Sequence, residues 1–292
     1  MSSPYVSVII PVYNDSKRLQ VCLNALENQT YPIDKYEVIV VDNGSETEVS
    51  PLVSSYRQAK ATHESKPGSY AARNKGLSMA KGEIVAFTDS DCIPATDWIE
   101  KGVDNLLRIP NCGLVAGEIE IFFKDRLHPT AVELYDKIRG FEQRDFLENK
   151  HYGATANIFT FMEVVHNVGS FNENLKSGGD KEWGQRVYIA GYPQVFAKDA
   201  LVRHPARYTY GELFQKISRI HLDIRHQGMK KILARLYRTL HPPNSEIRSG
   251  WKDPRLVGIK QKLKYTLMIF YVRGVRIIEQ VRQLLGGEQQ RS

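Results

Sequence analysis

Ile84-Val85-Ala86-Phe87-Thr88-Asp89-Ser90-Asp91-Cys92 is the stretch on which the reading of this chain turns. It opens as a short apolar run with β-branched residues, which reads as a buried strand. It closes on two carboxylates separated by one residue. At a strand's C-terminal end such a pair can converge on one hard cation. Mg²⁺ or Mn²⁺ prefers oxygen ligands and keeps open positions for phosphate oxygens. In open α/β sheets the strand C-termini are where ligands bind. The triplet alone also fits a polar turn that closes a strand, since Asp and Ser are common turn residues. What stands before and after it decides between the two.

Upstream, Val6 to Val12 reads as a buried strand, followed by a helix with Asp15 or Ser16 as N-cap and Leu19, Leu23 and Leu26 on one face. Tyr36 to Val41 reads as a second strand that ends at Asp42-Asn43-Gly44-Ser45, and Gly68 to Ala80 as a turn and helix. Downstream, Thr96 is expected to cap a helix through Arg108, whose apolar face is Trp98, Ile99, Val103, Leu106 and Leu107. Leu114 to Phe123 is a longer strand. Strands alternating with helices of this length predict βαβ units on a mostly parallel sheet. Further on, Pro129 to Leu147 and Phe161 to Val168 read as helices, and Lys181 to Ala190 as a helix after Gly178-Gly179-Asp180. Gln194 to Ala197 and Ala200 to Arg203 read as two short strands before His204-Pro205. Beyond Tyr210 the chain reads as helical and basic, interrupted at Pro242-Pro243-Asn244-Ser245.

Length and composition agree with a soluble enzyme-sized chain. The 292 residues suffice for one large domain, or one domain with an appendage, and 42% apolar with 25% charged residues is ordinary for a globular protein. Cys22, Cys92 and Cys112 are scattered without a CxxC pair, which argues against a zinc site or disulfide framework and fits a reducing cytosol. No charged segment followed by an apolar one opens the chain, so no signal peptide is expected. No apolar run approaches the ~20 residues that span a bilayer. The net charge of +7 is uneven: residues 203–292 hold 19 Lys+Arg against 6 Asp+Glu, and the rest holds 21 against 27. A basic C-terminal third on an acidic body suggests a polyanionic partner surface, membrane or nucleic acid.

Four segments in order at βα spacing are more specific than any one alone: Ser7 to Asn14 (SVIIPVYN), Val38 to Ser45 (VIVVDNGS), Pro67 to Leu77 (PGSYAARNKGL) and Thr88 to Cys92 (TDSDC). With Gly178 to Arg186 (GGDKEWGQR) they make a set that resembles the inverting family 2 glycosyltransferases of the GT-A fold, over residues 5–205. The resemblance implies an α/β, Rossmann-like, mostly parallel sheet flanked by helices. It implies that the backbone from Pro11 and Val12 to Asn14 cradles the nucleotide, and that Asp42 accepts from the N–H edge of the base, as uracil would offer. Arg73 is expected toward the nucleotide, pairing with phosphate or with a site aspartate. Asp91 is the firmer ligand of a Mn²⁺ or Mg²⁺ ion, with Asp89 beside it and His204 as a third position near the metal or diphosphate. Asp180 is the implied general base that takes the acceptor hydroxyl's proton. Glu182 and Trp183 are implied acceptor-binding positions, Trp183 as an apolar platform for a sugar ring. The sequence departs from the family pattern at Gly179, where Glu is frequent, and at Trp183, where Leu is frequent. Each residue keeps a plainer alternative: Asp42 as turn, Arg73 as solvated helix face, Asp180 as N-cap, Trp183 as core, and Glu182 with Arg186 as a helix pair.

Negative evidence narrows the class. The processive members of the family have Gln-x-x-Arg-Trp and membrane spans. This chain has neither, so single-sugar addition is expected. No P-loop and no Gly-x-Gly-x-x-Gly follows the first strand. The expected organisation is a catalytic domain over 1–205, its nucleotide-sugar half about 1–110 and its acceptor half about 111–205, then a basic helical extension over 206–292. Leu263 to Leu285 reads as a basic amphipathic helix that lies on an anionic membrane surface or packs on the domain. The expected partners are a nucleotide-sugar donor, favouring UDP, and a saccharide or lipid-linked acceptor in polysaccharide synthesis. No nucleic acid is expected, and the expected location is cytoplasmic, peripheral on the membrane's cytoplasmic face. The competing readings are a non-catalytic nucleotide-binding scaffold, to which Gly179 lends support, and a nucleotidyltransferase, which would want a Gly-rich basic loop after the first strand.

Overall fold

The computed structural model describes residues 3–221 and 229–284. Parts of the expected C-terminal helices, Leu285 among them, lie outside the described residues. The strands are β1 (Val6–Val12), β2 (Tyr36–Asp42), β3 (Ala59–His63), β4 (Ile84–Thr88), β5 (Ile93–Pro94), β6 (Leu114–Phe122), β7 (Asn157–Phe161) and β8 (Gln194–Pro205). The helices are α1 (Ser16–Glu27), α2 (Ser50–Val53), α3 (Ser69–Met79), α4 (Trp98–Arg108), α5 (Ala131–Arg139), α6 (Gln143–Lys150), α7 (Met162–Val168), α8 (Gly179–Ile189), α9 (Tyr210–His221), α10 (Met229–Leu240), α11 (Asn244–Lys252) and α12 (Gly258–Leu284).

The sheet runs β3-β2-β1-β4-β7-β6-β8-β5. Its first four strands are parallel, and β7 enters antiparallel between β4 and β6. Every residue of β1, β2 and β4 is buried, as strands covered on both faces require. Among the buried polar residues of these strands, Ser7 and Glu37 satisfy each other: Ser7 Oγ donates to Glu37 at 2.7 Å, and Lys60 Nζ holds the same carboxylate at 2.8 Å. The core gathers Ile9, Ile39, Phe87, Ile158 and Trp183, each contributing about 1.5–3 kcal/mol by leaving water. α3 packs close on β1 at Gly76, where a Cβ would stand 2.5 Å from the Ile9 side chain. The register decides where function sits. Val12 pairs with Asp42 and Ile9 with Phe87, so β1, β2 and β4 deliver Asn14, Asp42 and Asp89 to one edge.

Several elements differ from expectation. Asp97, not Thr96, is the N-cap of α4. The helix read over Pro129 to Leu147 is two, because the chain breaks at Gly140; the first opens on a capping box between Thr130 and Glu133. The two short strands before His204 are one twelve-residue strand, β8. β3 and β7 had no expectation. β3 is a half-exposed Ala-Lys-Ala-Thr-His edge strand, and β7 has only three apolar residues.

The chain divides into two compact units, Met1–Glu120 with Phe141–His204, and Ile121–Gly140 with Pro205–Ser292. The second unit therefore also takes residues 121–140, which the sequence reading placed in the acceptor half. Its core is formed by α5, α9 and α12, with Leu134, Ile217, Tyr265 and Val272 buried. Within it Asp136 is buried and accepts from Arg207 Nη1, Arg207 N and Lys216 Nζ at 3.0, 3.1 and 3.0 Å. Burial opposes its ionisation, but Lys216 and Arg207 outweigh that and hold its carboxyl down at about 2. A depressed carboxyl contributes stability that is present above the unfolded value near 4, and it is lost as pH falls toward about 2. Asp136→Ala leaves Lys216 and Arg207 without their shared anion. It is expected to cost about 3 kcal/mol, read as a lower urea midpoint at neutral pH.

Candidate active site

Three acids and two arginines meet where β1 and β4 end, all within the first unit. Asp89 leaves β4 and takes Arg73 Nη2 of α3 at 2.5 Å. The Arg73 side chain is only 4% exposed, so this is a buried cation held by one carboxylate, and its Nε has no hydrogen-bond partner among the described residues. Asp91 lies on the other side of the loop. Its Oδ1 stands 3.5 Å from His204 Nε2 and its Oδ2 3.7 Å from Arg18 Nη1. Arg18 in turn pairs with Asp15 at 2.8 Å. Burial pushes the Asp91 carboxyl up, with His204 pulling it down and Asp89 adding to the rise.

His204 reaches this place through strand pairing. β5 follows the acidic loop directly and pairs antiparallel with β8, Ile93 opposite Arg203. The next step in that register sets Cys92 beside His204. His204 is 5% exposed, and its ring lies tilted against that of Phe141 with centroids 4.9 Å apart.

Asp91, Cys92 and His204 bring one ligand atom each within 4.8 Å of one another. Cys92 is fully buried, and burial pushes its thiol well above its ordinary value, so it stays protonated and faces the Ala156 carbonyl at 3.9 Å. A hard divalent ion takes oxygen and nitrogen donors ahead of sulfur, so the thiol is the poorest donor of the three. The remaining oxygen and nitrogen donors fit a hard divalent ion, and an imidazole among them suits Mn²⁺ better than Mg²⁺. Asp89, already neutralised by Arg73, is the weaker donor of the two aspartates.

At the C-terminal end of β2 Asp42 is 8% exposed, and its Oδ1 accepts from Ser45 N at 3.0 Å. Pro11 and Val12 have buried side chains and offer only backbone. Asn14 adopts a left-handed φ of 50° and bridges the loops: its N–H donates to Ser45 Oγ at 2.9 Å and its Oδ1 accepts from Glu46 N at 2.8 Å. Asn14 thus ties the loop after β1 to the loop after β2.

Asp180 stands in the first turn of α8, whose N-cap is Gly178 in a left-handed conformation. The half-buried carboxylate accepts from Lys181 N at 2.9 Å and from Tyr70 Oη at 3.4 Å. Burial raises its pKa; the Lys181 N–H, Arg73 and Tyr70 offset part of that rise. The departure at Gly179 has a steric reason. A Cβ there would stand 2.7 Å from the Tyr70 ring, so a larger residue and this placement of Tyr70 exclude each other.

Two expected acceptor positions are placed differently. Trp183 is fully buried: Gly179, Trp183 and Val187 recur on the core face of α8, and the indole N–H donates to Gly169 O at 2.9 Å. It is a core residue and offers no platform to a sugar. Glu182 gives both oxygens to Arg186, at 2.8 and 3.1 Å, and Arg186 braces the 168–170 turn through Val168, Gly169 and Ser170 carbonyls. Sequence reasoning missed Arg18, Asp15 and Tyr70. Asp15 and Arg18 are a plain i, i+3 helix pair, and nothing in the chain's order points them at residue 91.

Parallel strands deliver acids to one edge, a histidine returns from β8, and a carboxylate opens α8, at the strand C-termini where open α/β sheets bind ligands. Residues 7–169 match the family described as glycosyl transferase family 2. The glycosyltransferase AglE of Haloferax volcanii is 40% identical over 222 residues, spanning 74% of this chain and 72% of that protein. The pre-mycofactocin glycosyltransferase of Mycobacterium tuberculosis is 29% identical over 209 residues, 69% of this chain and 43% of that one. Among solved structures, the mannosyltransferase PcManGT of Pyrobaculum calidifontis in complex with GDP-Man and Mn²⁺ superposes with a TM-score of 0.59 at 20% identity, covering 99% of this chain and 77% of that one. S. aureus TarS 1-349 in complex with UDP superposes with a TM-score of 0.56 at 17% identity, covering 98% and 93%. The chain belongs to glycosyl transferase family 2; it has the GT-A fold and is a glycosyltransferase.

Proposed function

We propose that the protein is an inverting, metal-assisted glycosyltransferase that adds a single sugar from a UDP-linked donor to a hydroxyl of a glycan or lipid-linked saccharide in polysaccharide synthesis. The observation behind this reading is the placement of Asp180, Arg73–Asp89 and Asp91–His204 in one unit, with a proton acceptor separate from an ion-binding pair. Asp180 takes the proton of the acceptor hydroxyl. The hydroxyl oxygen bonds to the anomeric carbon as the bond from that carbon to the diphosphate breaks. The electron pair leaves with the nucleoside diphosphate, and the configuration inverts. A bound Mn²⁺ or Mg²⁺ on Asp91 and His204 would supply positive charge against the departing diphosphate. Arg73 fixes Asp89 beside it, and Asp42 offers an acceptor to a base N–H. The GDP-Man and Mn²⁺ held by one structural neighbour, and the UDP held by another, support a nucleotide-linked donor and a divalent ion.

The test is thermal stability against a panel of nucleoside diphosphates with and without Mn²⁺. A ligand bound to the native state raises Tm by mass action. A rise with UDP that needs Mn²⁺ is expected. A rise with GDP alone would move the donor assignment to guanine, and no rise with any nucleotide would return weight to the scaffold reading.

A further inference from the structure

α12 is apolar on two opposite faces. One face is the core of the second unit, with Tyr265, Met268, Ile269, Val272 and Val275 buried. The other points outward. Ile259, Leu263, Leu267, Phe270, Ile278 and Val281 are each between 39% and 69% exposed. Steps of three and four residues put them on one stripe, about 33 Å long at 1.5 Å per residue. Gly274 falls on the same line, where a Cβ would meet nothing within 4 Å. A docked surface helix needs one apolar face, and the core already accounts for it. A second, continuous apolar stripe marks an interaction surface.

Charge selects the occupant. Lys260, Lys262, Lys264 and Arg282 lie along α12, while Arg273 is paired with Glu246 at 2.9 Å; the helix's one acid, Glu279, is buried and accepts from Ser218 Oγ at 3.0 Å. Pairing with a second copy would set cation against cation in either direction: Lys260 to Lys264 would meet themselves, or the Arg282 end. No helix among the described residues is long and apolar enough to cross a membrane. We propose that the outward face of α12 is a contact surface for anionic lipid, its apolar stripe seated at the headgroup–acyl boundary with lysines beside it. The surface is argued from the second unit alone and its test needs no catalysis, so its failure is distinct from failure of the transferase reading.

The experiment is flotation of the full chain with phosphatidylcholine vesicles, with and without phosphatidylglycerol, read together with tryptophan emission. Trp251 borders the stripe, 37% exposed with its Nε1 donating to Thr266 Oγ1 at 2.9 Å, while Trp98 and Trp183 are fully buried. Binding to phosphatidylglycerol vesicles with a blue shift is expected, and release at raised salt. Leu267→Glu with Phe270→Glu should lower binding about tenfold or more with the unfolding transition unchanged, since both side chains are exposed. The wild-type emission shift tests the surface even if that variant misfolds. No flotation, or equal flotation with phosphatidylcholine alone, would overturn the proposal. So would a dimer in solution that the same variant dissolves, which would assign the stripe to a second copy.

Discussion

Asp180→Asn will lower turnover about 10²–10⁴-fold while nucleotide binding stays in place. The amide has the carboxylate's shape, so its oxygen still accepts from Lys181 N and Tyr70 Oη, and α8 keeps its first turn. What is lost is the capacity to take a proton. The substitution leaves the Arg73–Asp89 and Asp91–His204 pairs, to which the nucleotide and ion are assigned, with their own atoms unchanged. The pH dependence follows from the same burial. Asp180 is raised above the ordinary carboxyl range, and a base must be deprotonated to act. The acid limb of kcat/KM should therefore fall at a higher pH than an unperturbed aspartate, near 3.9, would give. The linkage sign is the reverse of that for Asp136. A carboxyl raised in the folded state destabilises the fold once it ionises, so the neutral Asn variant should melt at or above the wild-type temperature. Turnover within threefold of wild type would rule out Asp180 as the base and favour a scaffold. A large fall in Tm would show that the carboxylate is structural.

Asp91→Ala is expected to abolish the Mn²⁺-dependent rise in Tm with UDP and to lower turnover about 10³-fold or more. That is the equivalent of the several kcal/mol that a metal ion supplies to a departing diphosphate. Asp91 is the cleaner aspartate to remove. Its partners are at 3.5 and 3.7 Å, longer than good hydrogen bonds, and burial opposes its charge, so the fold gives up little with it. Asp89 is different: removing it takes from the buried Arg73 guanidinium the one ion pair it makes among the described residues. Asp89→Ala should thus lower Tm without ligand, and Asp91→Ala should not. His204→Ala should weaken the Mn²⁺ dependence in the same direction as Asp91→Ala, because its Nε2 faces the same oxygen. A UDP shift in Asp91→Ala equal to wild type, still requiring Mn²⁺, would remove Asp91 from the ion site.

Much of this arrangement was legible in residue order because it is local. A short run such as Ile84 to Thr88, with β-branched residues and turn residues after it, reads as a strand buried on both faces, and the acids that follow it then emerge at its C-terminal end. The same holds for Asp42 after β2 and for Asp180 at the start of α8. Where local signals were weak, the reading was wrong or silent. β7 has three apolar residues and is a strand because β4 and β6 flank it. Trp183 looked available to a sugar because an indole suits either a core or a platform; the phase of α8 turned it inward.

Residue order alone carries the strand–helix alternation, the edge at which β1, β2 and β4 end, and the acids that stand there. Those follow from periodicity and from chemistry within a few residues. Only the tertiary structure decided which groups face one another. The pairing of Ile93 with Arg203, 110 positions apart, brings His204 to Asp91 and leaves Cys92 a buried thiol. The Tyr70 ring explains why position 179 is glycine. Burial of one face of α12 shows that its other apolar face remains exposed. Each of these depends on contacts between distant segments, whose cost in chain entropy is offset only when the whole core forms, so no local window of sequence contains them.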